Sequence, residues 1–301
     1  MMKTNRLYRL KSSVFLITVF IWILISALPA QAAPESEGES PIHYTGPTNA
    51  GEALVDAAFN GDAAQVKSLL ADGTPVDYQL TTGITALIRA CFMGYAPIVK
   101  ILLDHGAQVN LPNNNGETAL IYASFQGDEA VVKLLLAKGA QVNLQDNNGG
   151  TALANASTQG DEAVVKLLLT KGANVNFKNG ITALIAASSN GHTETVRILL
   201  KHGAQVDLPN YIGESALIIT SKYGHEAVVK MLLAKGAQVN LTADNGVTAL
   251  IVASLKENAP VVKILLAAGA KVNHQSKDGK TALSVAKTKQ IEQLLRAAGA
   301  K

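Results

Sequence analysis

Apolar residues recur along this chain in a repeated pattern. The segment AVVKLLLAKGAQVNL at Ala130–Leu144 returns with few changes at Ala163, Ala227 and Pro260. In each copy the apolar side chains fall on most faces of a helix of about ten residues, which is typical of a helix that is covered on several sides. A glycine follows each helix and favours its termination in the left-handed conformation. The pattern therefore predicts a short, buried helix that recurs along the chain.

A second, shorter apolar segment precedes each copy of the first. In ALIYASFQ, which starts at Ala119, the preceding Thr118 can cap the free backbone N–H groups of a helix, and Gly127 can end that helix. A tight turn at Asn113–Gly116 comes before it. Helices of this length are marginal in water by themselves, so each pair must be covered by the adjacent pairs. We therefore predict an all-α solenoid of stacked helix-turn-helix units.

The repeat sets the predicted domain organisation. The capping residue recurs roughly every 33 residues from Thr85 to Thr281. A partial copy comes before Thr85, and a shortened copy starts at Thr281. We predict eight units with the approximate bounds 49–79, 80–112, 113–145, 146–176, 177–209, 210–242, 243–275 and 276–301.

The repeated residues resemble those of the ankyrin repeat family over nearly all of residues 49–301. The segment NGHTETVRILLKHGAQVD at Asn190–Asp207 is especially similar to the family's pattern. Three features depart from it: Thr-Ala-Leu-Ile at Thr118–Ile121 replaces Thr-Pro-Leu-His, Glu257 stands where glycine is expected, and the loop Phe177–Gly180 is short. The resemblance implies an α-solenoid with β-turn or hairpin fingers. It also implies a concave face, formed by the first helices and the turn tips, that binds other proteins.

Three aromatic residues mark the ends of successive first helices. Stacking of the units predicts that Phe59, Phe92 and Phe125 form an exposed ridge, with Met93 and Gln126 beside it. Exposed aromatic residues are frequent anchors of protein interfaces. In the alternative interpretation, the three rings pack on neighbouring units and extend the core. The remaining candidate binding residues lie at the equivalent helix ends of later units and at one apolar turn tip: Tyr211, Ile212, Lys222, Tyr223, Leu255 and Lys256.

The first 32 residues have the three parts of a Sec-type signal peptide. A basic start is followed by the apolar run VFLITVFIWILISAL at Val14–Leu28, and then by Ala30 and Ala32 in the arrangement of a signal-peptidase site. The apolar run is short for a membrane span, although an uncleaved anchor is the alternative. Residues 33–48 are predicted to be a disordered spacer. We expect a periplasmic or secreted protein that meets the membrane only through this leader, before cleavage.

The charge of the chain gives no support to nucleic-acid binding. The sequence has 26 Lys and Arg against 23 Asp and Glu, and four of the basic residues lie in the first 32 positions. The remainder has 22 basic against 23 acidic residues, so no basic surface is expected to bind nucleic acid. Residues 33–80 are mainly acidic and residues 271–301 mainly basic. This difference fits either solvated end units or head-to-tail docking, and we expect a monomer.

The residue types of a catalytic site are missing from the pattern. Cys91 is the only cysteine, and it stands where other units have alanine or serine, which favours a small buried residue over a reactive thiol. No histidine pair has metal-ligand spacing within one unit, and no phosphate-binding loop or nucleophile elbow is present. The sequence therefore predicts no enzyme activity, no cofactor, no metal and no small-molecule substrate.

Three functions remain open at this point. The first is a non-enzymatic scaffold that binds a protein partner in the periplasm or outside the cell through its concave face and turn tips. The second, suggested by a loose resemblance to exported bacterial ankyrin proteins, is an accessory that protects or assembles a periplasmic stress enzyme. The third is a secreted effector that binds a host protein. The residues of a binding face vary freely over one scaffold, so the sequence does not identify the partner.

Overall fold

The computed structural model describes residues 49–177 and 180–301. The predicted signal peptide at 1–32 and spacer at 33–48 lie outside the described residues. Lys178 and Asn179, in the short loop of the fifth unit, also lie outside them.

The described residues form an all-α architecture, as the sequence predicts. Within the described residues there are fifteen helices, arranged as seven consecutive pairs followed by one single helix. The helices are α1 (Ala50–Asn60), α2 (Ala63–Ala71), α3 (Ala86–Met93), α4 (Ala96–Asp104), α5 (Ala119–Gln126), α6 (Glu129–Ala137), α7 (Ala152–Gln159), α8 (Glu162–Thr170), α9 (Ala183–Ser189), α10 (Thr193–Lys201), α11 (Ala216–Tyr223), α12 (Glu226–Ala234), α13 (Ala249–Leu255), α14 (Ala259–Ala267) and α15 (Lys289–Ala297).

Local sequence signals start and stop these helices where expected. The Thr118 hydroxyl accepts a hydrogen bond from the Ile121 N–H at 3.4 Å and caps α5. Gly127 ends α5 with a left-handed backbone, at a φ of 69°. The Asp128 carboxylate then caps α6 by accepting from the N–H groups of Ala130 and Val131. Each cap satisfies backbone donors that the helix leaves unpaired.

The helices of units one to seven form two layers. Each first helix contacts the first helix of the next unit, and each second helix contacts the next second helix. The leucines Leu102, Leu135, Leu168, Leu199, Leu232 and Leu265 occupy equivalent positions in the second helices, and none has exposed surface. Burial of such a side chain stabilises a fold by about 2 kcal/mol. Every unit therefore depends on its neighbours for its core.

Amide side chains join the units along a second line of contacts. In Asn143, the carbonyl oxygen accepts from the Asn174 N–H at 2.8 Å, and the NH₂ group donates to the Gly172 carbonyl at 3.1 Å. Equivalent residues bridge the other junctions: Asp77, Asn110, Asn176, Asp207, Asn240 and Asn273. The last turn of one unit is thereby fixed to the next unit.

The eighth unit differs from the predicted helix pair. Residues Ala282–Val285 form a turn instead of a first helix. The Ser284 hydroxyl accepts from the Thr281 N–H, while the Thr281 hydroxyl accepts from the Ser284 N–H at 3.1 Å. Thr288 already caps α15, so too few residues separate the two threonines for a first helix of the usual length.

The turn around Glu257 forms in spite of the missing glycine. Glu257 has a φ of 60° and is the only described residue other than glycine with a positive φ. A left-handed backbone is unfavourable for a residue with a β-carbon. Glu257 therefore takes the place of the glycine with some strain, and α13 ends at Leu255.

None of the helices in residues 49–177 and 180–301 combines the length and the apolar character that crossing a membrane requires.

Candidate functional site

Two rows of side chains on the first helices define one surface, which we call the first-helix face. The inner row comprises Asp56, Arg89, Tyr122, Asn155, Ala186, Ile219 and Val252. The outer row lies three residues further along each helix and comprises Phe59, Phe92, Phe125, Thr158, Ser189, Lys222 and Leu255. Residues three apart lie on the same side of a helix, so the two rows run side by side along the stack.

Aromatic and charged side chains interlock in the first three units. The Arg89 guanidinium lies over the Phe59 ring, 5.2 Å from its centre. The rings of Phe92 and Tyr122 meet edge to face, with centres 5.9 Å apart. Each contact joins one unit to the next, from the outer row to the inner row. Aromatic pairs and cation–π pairs of this kind favour a fixed arrangement of side chains.

The predicted phenylalanine ridge is less exposed than the sequence suggests. Phe59, Phe92 and Phe125 are half-buried, and Phe59 and Phe92 are covered by side chains of the following unit. Met93 is also half-buried, whereas Gln126 is exposed. The ridge is therefore only partly exposed, because Arg89 covers part of Phe59 and Tyr122 covers part of Phe92. The role of these residues in binding stays a prediction.

A hydrogen-bond network surrounds Tyr122. Its hydroxyl donates to the Glu117 carboxylate at 2.6 Å, and the Asn113 NH₂ group donates to the same oxygen at 2.8 Å. Burial raises the pKa of the Tyr122 hydroxyl well above its usual range, and the adjacent Glu117 adds to the rise. Tyr122 therefore stays a hydrogen-bond donor at neutral pH, and the Glu117 carboxylate is already satisfied within the network.

Arg89 is largely buried, with 8% of the residue exposed. No hydrogen bond or ion pair joins its guanidinium to another residue of 49–177 and 180–301, and its nitrogens are not among the fully buried polar atoms that lack a partner, so they keep some contact with solvent. Burial lowers the pKa of the Arg89 guanidinium, while Tyr122 and Asp56 partly counter that effect. Sequence analysis missed this residue. The available signal was a single arginine within the otherwise uncharged helix ALIRACFM.

Exposed apolar residues concentrate in units five to seven. Tyr211 is 71% exposed, Tyr223 52%, Ile212 44% and Leu255 39%. Ile181, which the sequence analysis did not single out, is 43% exposed. Single exposed apolar side chains are common, whereas a group of them in neighbouring units is typical of an interaction surface.

Lysines accompany this apolar set. The half-buried Lys222 places its ammonium group 5.6 Å from the centre of the Tyr223 ring, and the same ring stacks on His225. Lys256, one unit further on, is exposed. The structure thus brings Lys222, Tyr223, Leu255 and Lys256 together at the ends of α11 and α13, while Tyr211 and Ile212 lie at the turn that precedes α11.

The turn tips are joined in pairs by hydrogen bonds. The Asn114 backbone N–H donates to the Thr82 carbonyl at 3.1 Å, and its side chain donates to the Thr81 carbonyl at 2.9 Å. Asn147 makes the equivalent contacts with the third unit. Turn geometry therefore explains these asparagines. Tyr211 and Ile212 occupy the places of Asn114 and Asn115 in the sixth unit and leave their side chains exposed.

Histidine and cysteine residues have structural contacts. A ring nitrogen of His192 lies 2.9 Å from the Thr158 carbonyl, and one of His225 lies 3.0 Å from the Ser189 carbonyl, so both link adjacent units. Cys91 is fully buried, and burial raises the pKa of its thiol well above the usual range. A buried, protonated thiol is unreactive. No group of three or more potential metal ligands occurs in the part of the chain that the structure describes.

Comparison with known proteins identifies the repeat. A family model described as "Ankyrin repeats (3 copies)" matches residues 54–146, 124–210, 153–243 and 217–300. The ankyrin repeat domain of human ASB11 has a similar solved structure, with a TM-score of 0.55 and 25% sequence identity. The match covers 82% of this chain and 98% of that domain. No curated protein sequence gives a significant match.

Ankyrin repeats are in general non-enzymatic domains that bind other proteins. The matched segments together span most of the sequence. The chain belongs to the ankyrin repeat family.

Proposed function

We propose that this chain is an exported, non-enzymatic scaffold that binds a protein partner through its first-helix face and turn tips. The observation that carries the proposal is the exposure of Tyr211, Ile212, Tyr223 and Leu255 in the sixth and seventh units. Other units hold polar residues such as Asn114, Gln126 and Thr158 at the equivalent positions, so the fold does not require apolar side chains there. Large exposed tyrosines and leucines are the side chains that a partner would desolvate on binding.

A crosslinking pull-down with matched variants tests this proposal. The variant combines Tyr211→Ser, Tyr223→Ser and Leu255→Ser. The control combines Lys133→Ser, Lys166→Ser and Lys230→Ser, which alter exposed residues of the second helices. We expect the control to recover the same partner as the parent protein and the first variant to lose it. Equal recovery by both variants would contradict the proposed surface.

The phenylalanine ridge requires its own arm of this experiment. A variant with Phe59, Phe92 and Phe125 changed to Ser is compared with the parent protein after circular dichroism has shown equal helix content. Loss of the partner supports the ridge as an anchor. Full recovery assigns the three rings to packing, in line with their half-buried positions.

Export is the second part of the proposal, and it is supported by the basic, apolar and small-residue order of residues 1–32. Mass spectrometry of the protein purified from cells that express the full chain should give an amino terminus at Ala33. Cell fractionation should place it in the periplasm or the medium. An intact leader would indicate an anchor. Recovery from host cells would favour the effector, and a periplasmic enzyme activity restored by the added protein would favour the accessory role.

A further inference from the structure

We infer that Arg89 is a recognition site for a single carboxylate of the protein partner, an Asp or Glu side chain that enters the first-helix face between units one and three. This inference rests on the proposed function and adds the chemistry of the partner. Arg89 is the one arginine of the first-helix face. It differs from the contact residues of units five to seven, which are apolar or carry lysine.

The surroundings of Arg89 leave its charge uncompensated at close range. The Phe59 ring covers one face of the guanidinium but accepts no hydrogen bond from its N–H groups. Asp56, the acid at the equivalent position of the preceding unit, acts on Arg89 through its charge and has a contact of its own. The nearest other acid of the network, Glu117, already accepts from Tyr122 and Asn113. The N–H groups of Arg89 thus keep contact with solvent and have no hydrogen-bonded partner within the described residues, so they are free to donate to an incoming anion.

The fold itself has no need of an arginine at this position. The equivalent residues of units five, six and seven are Ala186, Ile219 and Val252, which are all buried. The other arginines of the described chain are exposed, and Arg197 pairs with Glu194 at 2.9 Å. Arg89 therefore combines burial with open hydrogen-bonding capacity, which is unusual for a residue with only a packing role.

A carboxylate fits this position better than a phosphate does. One planar guanidinium can donate two parallel hydrogen bonds to one carboxylate. No second cation lies in the inner row, so the position offers a single positive charge, which matches a monoanion better than a dianion. The half-buried rings of Phe59 and Phe92 supply apolar surface for the methylene groups of a Glu or Asp side chain. These features together point to an acidic residue with apolar neighbours.

Peptide selection on the purified protein, expressed from the full-length chain, tests the inference. The probes are short random peptides, from which the tightest binders are labelled with fluorescein and compared with analogues in which Glu or Asp becomes Gln or Asn. We expect the amide analogue to bind the parent protein about tenfold or more weakly. This difference should disappear with Arg89→Met and persist with Arg197→Met, the matched control.

A second measurement detects binding in the parent protein and uses one variant only to assign a signal. Beyond Arg6 and Arg9 in the leader, the chain has only Arg89, Arg197 and Arg296, so its arginine side chains give few Nε–H signals in an NMR spectrum. Arg89→Lys identifies the signal of Arg89. We expect this signal alone to shift on addition of the acidic peptide, and none to shift with the amide analogue.

The possible failures are distinct. Selected peptides that lack an acidic residue, or that bind Arg89→Met as tightly as the parent, overturn the carboxylate site and leave the proposed function intact. An unmoved Arg89 signal in the presence of a bound acidic peptide does the same. If no peptide binds the parent protein, both the site and the proposed function are contradicted.

Discussion

Units two to four and units five to seven share one backbone plan but carry different first-helix faces. In the earlier set, Arg89, Tyr122 and Asn155 form a polar inner row beside the phenylalanines. In the later set, the same places hold Ala186, Ile219 and Val252. Large apolar side chains are exposed instead at the helix ends and at a turn tip. The earlier set therefore uses its aromatic residues within the structure, and the later set presents them to solvent.

A matched pair of networks shows how the difference arises. In the third unit, the Glu117 carboxylate accepts from Tyr122 at 2.6 Å and from Asn113 at 2.8 Å. In the sixth unit, Glu214 accepts from Asn210 at 3.3 Å, and Ile219 has no hydroxyl to donate. The residue in the inner row thus decides whether its side chain forms a hydrogen bond from the first helix to the glutamate of the preceding turn. The scaffold tolerates either choice, which allows its face to vary.

The largest expected effect concerns the core that the two sets share. Leu135→Ala in α6 and Leu232→Ala in α12 each remove a side chain without exposed surface. We expect each to lower the free energy of unfolding by about 3 kcal/mol, because a cavity remains in the second-helix layer. Urea denaturation followed by circular dichroism measures both. If the two sets differ only at their faces, the two losses should agree to within about 1 kcal/mol.

The exposed lysines of the same helices provide the control for this comparison. Lys133→Ala and Lys230→Ala should each change the free energy of unfolding by less than about 0.5 kcal/mol. A much smaller loss of unfolding free energy for one leucine than for the other would show that the second helices of the two sets are packed differently. The two sets would then differ in their core as well as in their faces.

The second prediction concerns the network that only the earlier set contains. Tyr122→Phe removes the hydroxyl and keeps the ring on Phe92, so it should lower the free energy of unfolding by about 2 kcal/mol, as expected for a hydrogen bond to a charged group. The loss should be smaller in a Glu117→Gln background, because the acceptor is then neutral. Glu214→Gln in the sixth unit should have little effect. An equal cost of Tyr122→Phe in both backgrounds would refute the assigned bond.

The third prediction makes the second unit resemble the fifth. Arg89→Met replaces a largely buried guanidinium, which makes no hydrogen bond within the described residues, with an apolar side chain, and it should raise the free energy of unfolding by about 1 kcal/mol. Relief from burying the charge would then exceed the loss of the contact with Phe59. Arg197→Met, at an exposed site, serves as the control in the same urea experiment. A clear loss of stability would mean that Arg89 stabilises the fold, and it would weaken the case for a binding role.

The repeat and its helices could be predicted because their signals are local. Thr118 and Gly127 act on the backbone next to them, and the spacing of such residues sets the unit length. The buried position of Cys91 followed from the small residues at equivalent places. The sequence shows that Glu257 replaces an expected glycine, but it does not show how the turn forms. Only the folded turn shows that Glu257 adopts a φ of 60°.

The face was harder to predict, because its contacts cross from one unit to the next. The exposure of Phe59 depends on Arg89, and that of Phe92 depends on Tyr122. Counting positions within a unit does not reveal these neighbours. Tyr211 and Ile212 could be identified because a turn tip has few neighbours that could cover them.

The smallest expected effect compares two exposed carboxylates, one in each half of the stack. Hydrogen bonds from Lys100 and from Lys138 of the next unit lower the pKa of Asp104 to about 2. Bonds from Lys280 and Ser276 of the same turn lower that of Asp278 to about 2. Lys138→Met should therefore raise the pKa of Asp104 and leave that of Asp278 unchanged. An NMR titration of the side-chain carboxyl carbons reads both values in one sample.

The direction of the pH effect follows from these lowered values. A carboxyl group with a lowered pKa in the folded state stabilises the fold fully above its unfolded value, which is about 4 for aspartate. That contribution is lost as the pH falls toward 2. For Asp104 the loss weakens a contact between units, whereas for Asp278 it affects only a turn. Both groups are exposed, so added salt should reduce the effect. If Lys138→Met leaves the Asp104 titration unchanged, the Asp104–Lys138 bridge does not form in solution, and the second and third units are joined by the core, the face and the bonds of Asn110 and Asn114 without it.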